Sequence, residues 1–324
     1  MRVCIFHKRM GSRVRAAVEA AFPDVEVRVV HDTTRDPDER ERIDVLFANI
    51  FPPGLLRRCP RLRWLHLTSS GVEQVAAEAP LPELLVTHSR TVPARAVAEF
   101  VWMGLLGLAK QAPRLRDQQR ARLWCLPDAQ LVAGTRLVLV GLGYIGSEIA
   151  RRAAAFDVAV TAVTRHARPS PLADAVLLPE ALAAAALTAD HLVLAVPAHA
   201  STRHLVDDTV LRALPASATL INVARPSVVD IDALVQALRA GRLAGALLDV
   251  HDEEPLPPTS PLWDVDNLWL TPHAAYCYPG EEDDIATLFV DNLRRWRAGE
   301  ALRNRVACEE LQLPAAATIA GQEA

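Results

Sequence analysis

Short apolar runs alternate with longer amphipathic stretches along the first hundred residues. The apolar runs predict strands at residues 3–6, 25–30, 45–48, 64–67 and 84–87. Residues 12–22, between the first two runs, space their apolar positions as a helix does. Strands that alternate with helices build a parallel sheet covered on both faces. We therefore expect a small α/β domain in this part of the chain.

The same alternation continues after a long helical pattern at residues 93–112. Pro113 is expected to end or kink this helix, which can link two domains. Further strands are predicted at residues 137–140, 158–163, 176–178, 191–196, 218–222, 244–248 and 268–270. Helices are predicted between them, for example at 231–240, and a final helix at 281–298 is expected to return to the first domain. The 324 residues are enough for two such domains, each with its own core.

The most informative stretch follows the strand at 137–140. It has the sequence Gly141-Leu142-Gly143-Tyr144-Ile145-Gly146, and a helical pattern and then the strand at 158–163 come after it. A strand, a G-x-G-x-x-G turn, a helix and a second strand are the parts of a dinucleotide-binding unit. Gly141 permits the tight turn, Gly143 lets a pyrophosphate approach the backbone, and Gly146 lets the helix pack on the sheet. The N–H groups at the helix start, where Tyr144 and Ile145 lie, then face the phosphates.

The end of the second strand indicates which dinucleotide is bound. An NAD site usually carries Asp or Glu there, whereas this chain has Thr164, with Arg165 and Arg168 behind it. A hydroxyl and two guanidinium groups suit a 2′-phosphate, which a carboxylate would repel. We therefore predict a preference for NADP(H), with NAD as a usable second cofactor. The alternative is that both arginines lie on a solvated loop.

Composition narrows the classes of function. The chain is 51% hydrophobic and 23% charged, and its net charge of −4 favours neither nucleic acid nor a membrane as partner. The basic run at 57–63 is expected to be a solvated helix end, and the apolar run near 101–109 is too short to span a bilayer. Five scattered cysteines without a CxxC pair predict reduced thiols and no metal site. With no signal-peptide organisation at residues 1–6, these features predict a cytoplasmic protein.

One turn of the first domain has the character of an anion site. Ser70, Gly71 and Val72 come just after the strand at 64–67. In open α/β sheets ligands collect at the carboxyl ends of strands, and a small-residue turn there exposes N–H groups suited to a carboxylate. The alternative is that Ser69 or Ser70 simply caps the following helix.

Three segments of the second domain place ionisable side chains just after strands. Arg225, Glu254 and His273 lie in the segments 221–225, 248–256 and 270–275. Because the carboxyl ends of parallel strands meet at one edge, these side chains are expected to converge beside the glycine turn. Together they predict a hydride-transfer site with a proton donor. Taken singly, Arg225 could form a structural ion pair, Glu254 a turn, and His273 a cap or core contact.

The chain resembles the D-isomer-specific 2-hydroxyacid dehydrogenases, the family of glyoxylate/hydroxypyruvate reductases, D-lactate dehydrogenases and phosphoglycerate dehydrogenases. The motifs of the resemblance span nearly the whole chain and are Ser70-Gly71-Val72, Val97-Ala98-Glu99, the glycine turn, Asn222-Val223-Ala224-Arg225, Asp249 through Glu254-Pro255, and Thr271-Pro272-His273. The resemblance implies two doubly wound parallel-sheet α/β domains, a Rossmann dinucleotide-binding domain at 99–282 and a smaller flavodoxin-like substrate domain. That substrate domain would comprise 1–98 and be completed by 283–324. The resemblance also implies an active site in the cleft between the domains and a homodimer.

The resemblance also implies the catalytic roles. Arg225 would hold the substrate carboxylate and polarise the carbonyl, for which a planar, permanently charged fork is suited. His273 would be the general acid/base. Glu254 would hydrogen-bond His273 and should raise its affinity for the proton.

Binding roles follow from the same resemblance. The N–H groups of Gly71 and Val72, next to Ser70, would bind the substrate carboxylate. Asp249 would contact the nicotinamide carboxamide. The remaining residues expected to line the cofactor are Pro197, Val223 and Ala224.

The chain departs from the family pattern at three places. Pro226 stands where the family usually has Gly; proline removes an N–H and pushes Arg225 toward an extended backbone. His251 stands where the family often has Phe, and residues 88–92 lack a glycine that is common before the linker helix. His251, Asp252 and Glu253 are expected to face solvent or to lie behind the site.

We predict from these observations an NADP-preferring reductase of small 2-keto acids such as glyoxylate or hydroxypyruvate. Formate and phosphite dehydrogenases have related architectures and are one alternative. The other is a nucleotide-gated binding protein with little turnover, like the corepressors among the relatives, for which Pro226 leaves room.

Overall fold

The computed structural model describes residues 1–30, 40–76, 78 and 83–307, except for the side chains of Glu73 and Ala76. The described residues form two compact units. One consists of Met1–Pro93 and residues 278–307, and the other of Ala94–Cys277. The predicted first-domain segment 283–324 extends past residue 307, so its last part lies outside the described residues. No helix in the described ranges is long and apolar enough to cross a membrane.

Each predicted strand is present, with ends that differ from the prediction by at most two residues. The strands are β1 Arg2–Phe6, β2 Glu26–Val29, β3 Val45–Ala48, β4 Trp64–Leu67, β5 Leu85–His88, β6 Arg136–Val140, β7 Ala159–Val163, β8 Ala175–Leu177, β9 His191–Leu194, β10 Thr219–Asn222, β11 Gly245–Leu248 and β12 Leu268–Leu270. The α-helices of the described residues are α1 Gly11–Ala21, α2 Glu73–Ala76, α3 Ala94–Ala109, α4 Ala112–Ala121, α5 Tyr144–Ala153, α6 Leu182–Ala186, α7 Asp208–Ala213, α8 Ile231–Arg239 and α9 Glu281–Ala298.

The first unit contains a five-stranded parallel sheet in the order β2-β1-β3-β4-β5. This is the flavodoxin-like strand order, as predicted. Phe47 of β3 and Trp64 of β4 are fully buried, and their rings lie 5.0 Å and 5.2 Å from the ring of Phe289 in α9. The helix predicted at 281–298 is thus confirmed, and it supplies part of this unit's core.

The second unit contains a seven-stranded parallel sheet in the order β12-β11-β10-β9-β6-β7-β8. Counted from β6, the first six strands have the Rossmann order 3-2-1-4-5-6, so the predicted fold class is confirmed. Apolar side chains cover both faces, for example Leu194 and Leu220 on one face and Val193 and Ile221 on the other. The strand order reverses between β6 and β9, and sheets of this kind bind ligands outside the carboxyl ends of the strands at that point.

The long helical pattern at 93–112 forms two helices rather than one. α3 lies close to the sheet, because a Cβ on Gly107 would lie 2.6 Å from the Trp269 ring. The break comes at Gln111, which has φ +54, and Pro113 lies in the first turn of α4. The prediction that Pro113 ends or kinks the helix was therefore wrong. Proline fits a first helical turn, where its missing N–H has no partner within the helix.

Candidate active site

In the second unit, the carboxyl ends of five adjacent strands lie along one edge of the sheet. The strand register aligns Val140, Leu194, Asn222, Leu248 and Leu270. The glycine turn follows the first of these residues, and Arg225, Glu254 and His273 follow the last three. The sheet therefore brings the glycine turn and the three predicted catalytic residues to the same edge.

The glycine turn has the geometry that a dinucleotide requires. Gly141 has φ +99, and a Cβ there would lie 2.5 Å from the carbonyl oxygen of Ala195. A Cβ on Gly146 would collide with the carbonyl oxygen of Gly141. Gly143, in contrast, is exposed and has no atom within 4 Å of the Cβ position, so a phosphate can reach its backbone. Helix α5 begins at Tyr144, and its first N–H groups have no acceptor within the helix. These residues fit a dinucleotide pyrophosphate.

Two cations lie just after β7, where the adenosine ribose binds in Rossmann domains. Thr164 is half-buried, and its hydroxyl donates to the carbonyl oxygen of His166 at 2.7 Å. Arg165 and Arg168 are exposed, and within the described ranges neither has a carboxylate partner. Both guanidinium groups are therefore available to an anion, as the NADP interpretation requires and as a solvated loop also allows.

A buried amide orients the segment that carries Arg225. Asn222 is fully buried; its Nδ2 donates to the Arg225 carbonyl at 3.0 Å, and its Oδ1 accepts the Ala224 N–H at 2.9 Å. Arg225 has φ −144 and ψ 149, the extended backbone that a following proline favours. Its Nη1 donates to the Ala224 carbonyl at 2.8 Å. Pro226 starts the 3-10 helix Pro226–Val228, where its missing N–H costs no helical hydrogen bond. Proline therefore fits this position without disturbing the turn.

Glu254 and His273 contact each other directly. His273 Nδ1 lies 2.8 Å from Glu254 Oε2. Because an ionised carboxylate only accepts hydrogen bonds, Nδ1 carries a hydrogen, and Nε2 is left for proton exchange. Burial opposes ionisation of Glu254, but hydrogen bonds from His273 and from the His251 N–H outweigh it and hold the pKa of Glu254 below its usual value. The side chain of His273 is 30% exposed and that of Glu254 is 12% exposed, so the histidine is the more accessible partner.

Asp249 holds the backbone of the turn that carries His273. Its carboxylate is buried; Oδ1 accepts the Thr271 hydroxyl at 2.7 Å and the Ala274 N–H at 2.9 Å, and Oδ2 accepts the Ala275 N–H at 2.9 Å. His273 lies between these anchors with φ +51, a left-handed conformation that few non-glycine residues adopt. The predicted contact of Asp249 with a nicotinamide carboxamide stays a prediction, since all three of these hydrogen bonds go to the turn.

The other predicted cofactor residues lie at the same sheet edge. Pro197 follows β9 and is exposed, while Val223 and Ala224 follow β10 and are half-buried and buried, respectively. The predicted substrate residues Ser70, Gly71 and Val72 follow β4 in the first unit and are half-buried.

The turn at residues 69–72 of the first unit is ordered by hydrogen bonds to its own carbonyl groups. The Ser69 hydroxyl donates to the Gly71 carbonyl at 2.9 Å, so its hydrogen is not available to a ligand. His88 Nδ1 donates to the Ser70 carbonyl at 2.9 Å. Both bonds use carbonyl oxygens, which leaves the assignment of the Gly71 and Val72 N–H groups to a carboxylate as a prediction.

His251 lies behind the site, which is one of the two places expected for it. It is 8% exposed, and it contacts Glu254 directly and the turn that leads to His273 through Thr271. Its ring Nε2 lies 2.9 Å from the Thr271 carbonyl, and its N–H donates to Glu254 Oε1 at 2.9 Å. Asp252 and Glu253 are exposed, as expected. The two hydrogen bonds of His251 were not predicted. The sequence signal for them was the replacement of the family's usual Phe by His251, whose ring can donate a hydrogen bond.

These features define the class of protein. A Rossmann sheet with a glycine turn at its switch point binds a dinucleotide, and a histidine that keeps one nitrogen on a carboxylate can transfer a proton with the other. Hydride transfer coupled to proton transfer is the chemistry of a dehydrogenase.

Comparison with known proteins gives the family. The model of the D-isomer specific 2-hydroxyacid dehydrogenase NAD binding domain matches residues 102–275. The chain is 31% identical over 294 residues to a glyoxylate reductase of Thermofilum pendens, which covers 84% of this chain and 86% of that protein. It is 36% identical over 253 residues to an (S)-sulfolactate dehydrogenase of Chromohalobacter salexigens, covering 74% and 79%. The structure of a D-isomer specific 2-hydroxyacid dehydrogenase from Xanthobacter autotrophicus in complex with NADPH and MES matches with a TM-score of 0.83 and 30% identity, over 95% of this chain and 99% of that one.

The chain therefore belongs to the D-isomer specific 2-hydroxyacid dehydrogenase family, as its motifs indicated. It is an oxidoreductase that transfers a hydride between NAD(P)H and a 2-keto acid.

Proposed function

We propose that this enzyme is an NADPH-dependent reductase of small 2-keto acids, with glyoxylate and hydroxypyruvate as the first candidates. The observation that carries the proposal is the 2.8 Å contact of His273 with Glu254, at the sheet edge that also carries Arg225 and the glycine turn. The relative named glyoxylate reductase supports the substrate class. The relative named (S)-sulfolactate dehydrogenase adds a sulfonated 2-keto acid as a second candidate.

Each catalytic residue has its own part in the proposed reduction. Arg225 binds the substrate carboxylate and polarises the carbonyl with its fixed positive charge. The reduced nicotinamide, when bound, supplies the hydride. His273 gives a proton from Nε2 to the carbonyl oxygen, which becomes the hydroxyl of the product. Glu254 stabilises the imidazolium through Nδ1 and keeps the ring oriented.

Binding is assigned to residues around this centre. The glycine turn from Gly141 to Gly146 would hold the pyrophosphate, with Tyr144 and Ile145 at the helix start. The nicotinamide end would meet Pro197, Val223, Ala224 and Asp249. The N–H groups of Gly71 and Val72, beside Ser70, are assigned to the substrate carboxylate on the resemblance of their motif.

The preference for NADPH is part of the proposal. Two available guanidinium groups, those of Arg165 and Arg168, suit a 2′-phosphate. The Thr164 hydroxyl donates to the His166 carbonyl, so Thr164 contributes the absence of a repelling carboxylate at this position. The structure from Xanthobacter autotrophicus was determined in complex with NADPH, which agrees with this choice. We propose NAD as a usable but poorer cofactor.

Steady-state kinetics test the proposed function. NADPH oxidation is followed with glyoxylate, hydroxypyruvate and 3-sulfopyruvate, and the reverse direction with formate and phosphite. We expect kcat/KM above about 10⁴ M⁻¹s⁻¹ with at least one 2-keto acid. His273→Asn should lower kcat at least about a hundredfold and leave NADPH affinity unchanged. No turnover with any 2-keto acid, together with tight NADPH binding, would favour the nucleotide-gated binding protein instead.

We further propose a homodimer that forms through the segment after α4. Large apolar side chains there are exposed, with Trp124 98%, Leu126 91% and Leu131 74% accessible. An exposed apolar group of this size marks an interaction surface, and a second copy is the partner the family resemblance implies.

We also propose a cytoplasmic location, which rests on scattered cysteines without a CxxC pair.

A further inference from the structure

We propose that His251 is a positioning residue of the reaction, whose ring and backbone together fix the geometry of the His273–Glu254 pair. The inference rests on the proposed function, because it assigns a role within that catalytic site. It concerns a residue at which this chain departs from the usual Phe of the family.

His251 contacts Glu254 directly and reaches the turn of His273 through Thr271. Its N–H donates at 2.9 Å to Glu254 Oε1, the carboxylate oxygen that His273 does not use. Its ring Nε2 donates at 2.9 Å to the carbonyl of Thr271, and the same carbonyl accepts the N–H of His273 at 3.0 Å. One residue therefore holds the carboxylate on one side and the turn that leads into the imidazole on the other.

The ring of His251 holds this turn by a single hydrogen bond. Because a carbonyl only accepts, Nε2 must carry the hydrogen. Nδ1 is buried and has no partner within the described part of the chain. The ring lines a cavity of about 370 Å³, together with Pro226, Leu256 and Leu262. Removal of the Nε2 donor would therefore leave the ring held by packing alone.

The backbone conformation of His273 explains why the turn before it needs to be held. Its φ of +51 is a conformation that persists only when surrounding contacts impose it. On the C-terminal side of His273, Asp249 holds the turn by accepting the N–H groups of Ala274 and Ala275. On the N-terminal side, His251 holds the turn by its hydrogen bond to the Thr271 carbonyl. A shift of about 1 Å in a catalytic group can lower the rate about a hundredfold.

Two substitutions separate the hydrogen bond from the ring. His251→Phe keeps a planar ring, for which the cavity leaves space, but removes the donor. His251→Gln removes the ring but keeps an N–H near the position of Nε2. We expect kcat to fall about ten- to a hundredfold in His251→Phe, and to stay within about threefold of the wild-type value in His251→Gln. KM for the 2-keto acid and Kd for NADPH should change less than about threefold in both, because the proposal assigns the side chain to the His273 turn and to neither ligand. Glu253→Gln, an exposed change on the same cavity, is the control and should leave kcat unchanged.

The outcomes separate this inference from the proposed function. If the wild type is active and His251→Phe has the same kcat, or if the two variants lose activity equally, His251 does not act through its donor and the inference is wrong. If the wild type reduces no 2-keto acid, the proposed function fails, and amide hydrogen exchange of residues 271–275 decides the inference alone. Faster exchange in His251→Phe but not in His251→Gln would support it; equal exchange in all three proteins would refute it.

Discussion

His273 Nδ1 lies 2.8 Å from Oε2 of Glu254, and this contact joins the loops that follow the adjacent strands β11 and β12. Burial disfavours the charge of Glu254, yet hydrogen bonds from His273 and from the His251 N–H hold its pKa below the usual value of 4.5. The ionised carboxylate is therefore more stable in the folded chain than in the unfolded chain. The pair that carries the proposed chemistry thus also contributes to the stability of the second unit.

The pH dependence of stability follows from this shift. A carboxyl group with a lowered folded pKa stabilises the fold above its unfolded pKa, and this contribution is lost as the pH falls through the folded value. We therefore expect Glu254→Gln to be less stable than the wild type above about pH 4.5, and the difference to shrink at lower pH. Denaturant unfolding of both proteins across this range measures it. A difference that grows on acidification would contradict the assignment.

Asp249→Asn tests whether the buried carboxylate anchors the His273 turn. An amide offers one oxygen and an NH2 group, so at least one of the Ala274 and Ala275 N–H groups would face a donor. A buried donor left unsatisfied costs about 1–3 kcal/mol. We expect a lower Tm and a lower kcat, measured by calorimetry and NADPH oxidation.

Asp252→Asn is the matched control for this experiment, since Asp252 is exposed on the same loop and should tolerate the change. The result that would overturn the anchor role is a normal Tm and kcat with weakened NADPH binding. That result would instead support the direct nicotinamide contact that the motif predicts.

Local steric rules made the fold and the glycine turn predictable. Gly141 must adopt φ +99, and Gly146 lies against a backbone carbonyl, so both requirements are visible in the sequence as glycines. The helix predicted at 281–298 has its observed bounds, and in the structure it lies between Gly280 and Gly299, both with positive φ. Buried parallel strands are equally visible as short apolar runs.

What the sequence could not show depends on contacts between distant residues. Asp249 meets Ala274, 25 positions further along the chain, and His251 meets Thr271, 20 positions further along. Neither pairing follows from periodicity, because it depends on how two loops leave adjacent strands. The break at Gln111 was also missed, since no glycine or proline stands at the break itself.

Arg165→Ser combined with Arg168→Ser tests the cofactor preference. Each charge-assisted hydrogen bond to a phosphate contributes about 1.5–3 kcal/mol, so kcat/KM for NADPH should fall at least about tenfold. The value for NADH should stay within about threefold, because NADH lacks the 2′-phosphate. Kinetics with both cofactors give the comparison within one protein. An equal loss for both would show that the arginines act on something common to the two dinucleotides.

The proposed dimer surface is tested by Trp124→Ser combined with Leu126→Ser. Both side chains are more than 90% exposed, so their loss removes no buried contact from the described fold. We expect light scattering to show a dimer for the wild type and a monomer for the variant, because an apolar interface loses about 25 cal/mol per Å² removed. Leu187→Ser, at a site 62% exposed in the second unit, is the control and should remain dimeric. A wild-type monomer, or a variant that stays dimeric, would exclude this surface.

Two glycines of the same turn should fail in different ways when a methyl group is added. At Gly143 the Cβ position is open and φ is −78, so Gly143→Ala should fold normally; its methyl group occupies the space reserved for the pyrophosphate, and we expect NADPH affinity to fall about tenfold or more. At Gly146 the methyl group meets the Gly141 carbonyl, and both are backbone-bound, so neither can move cheaply. Gly146→Ala should therefore lose about 3 kcal/mol or more of stability, the upper range for overpacking. Calorimetry and NADPH titration of both variants separate the two effects. A Gly143→Ala that binds NADPH normally would show that the pyrophosphate does not lie against this turn as proposed. A Gly146→Ala as stable as the wild type would show that the turn can move to admit the methyl group.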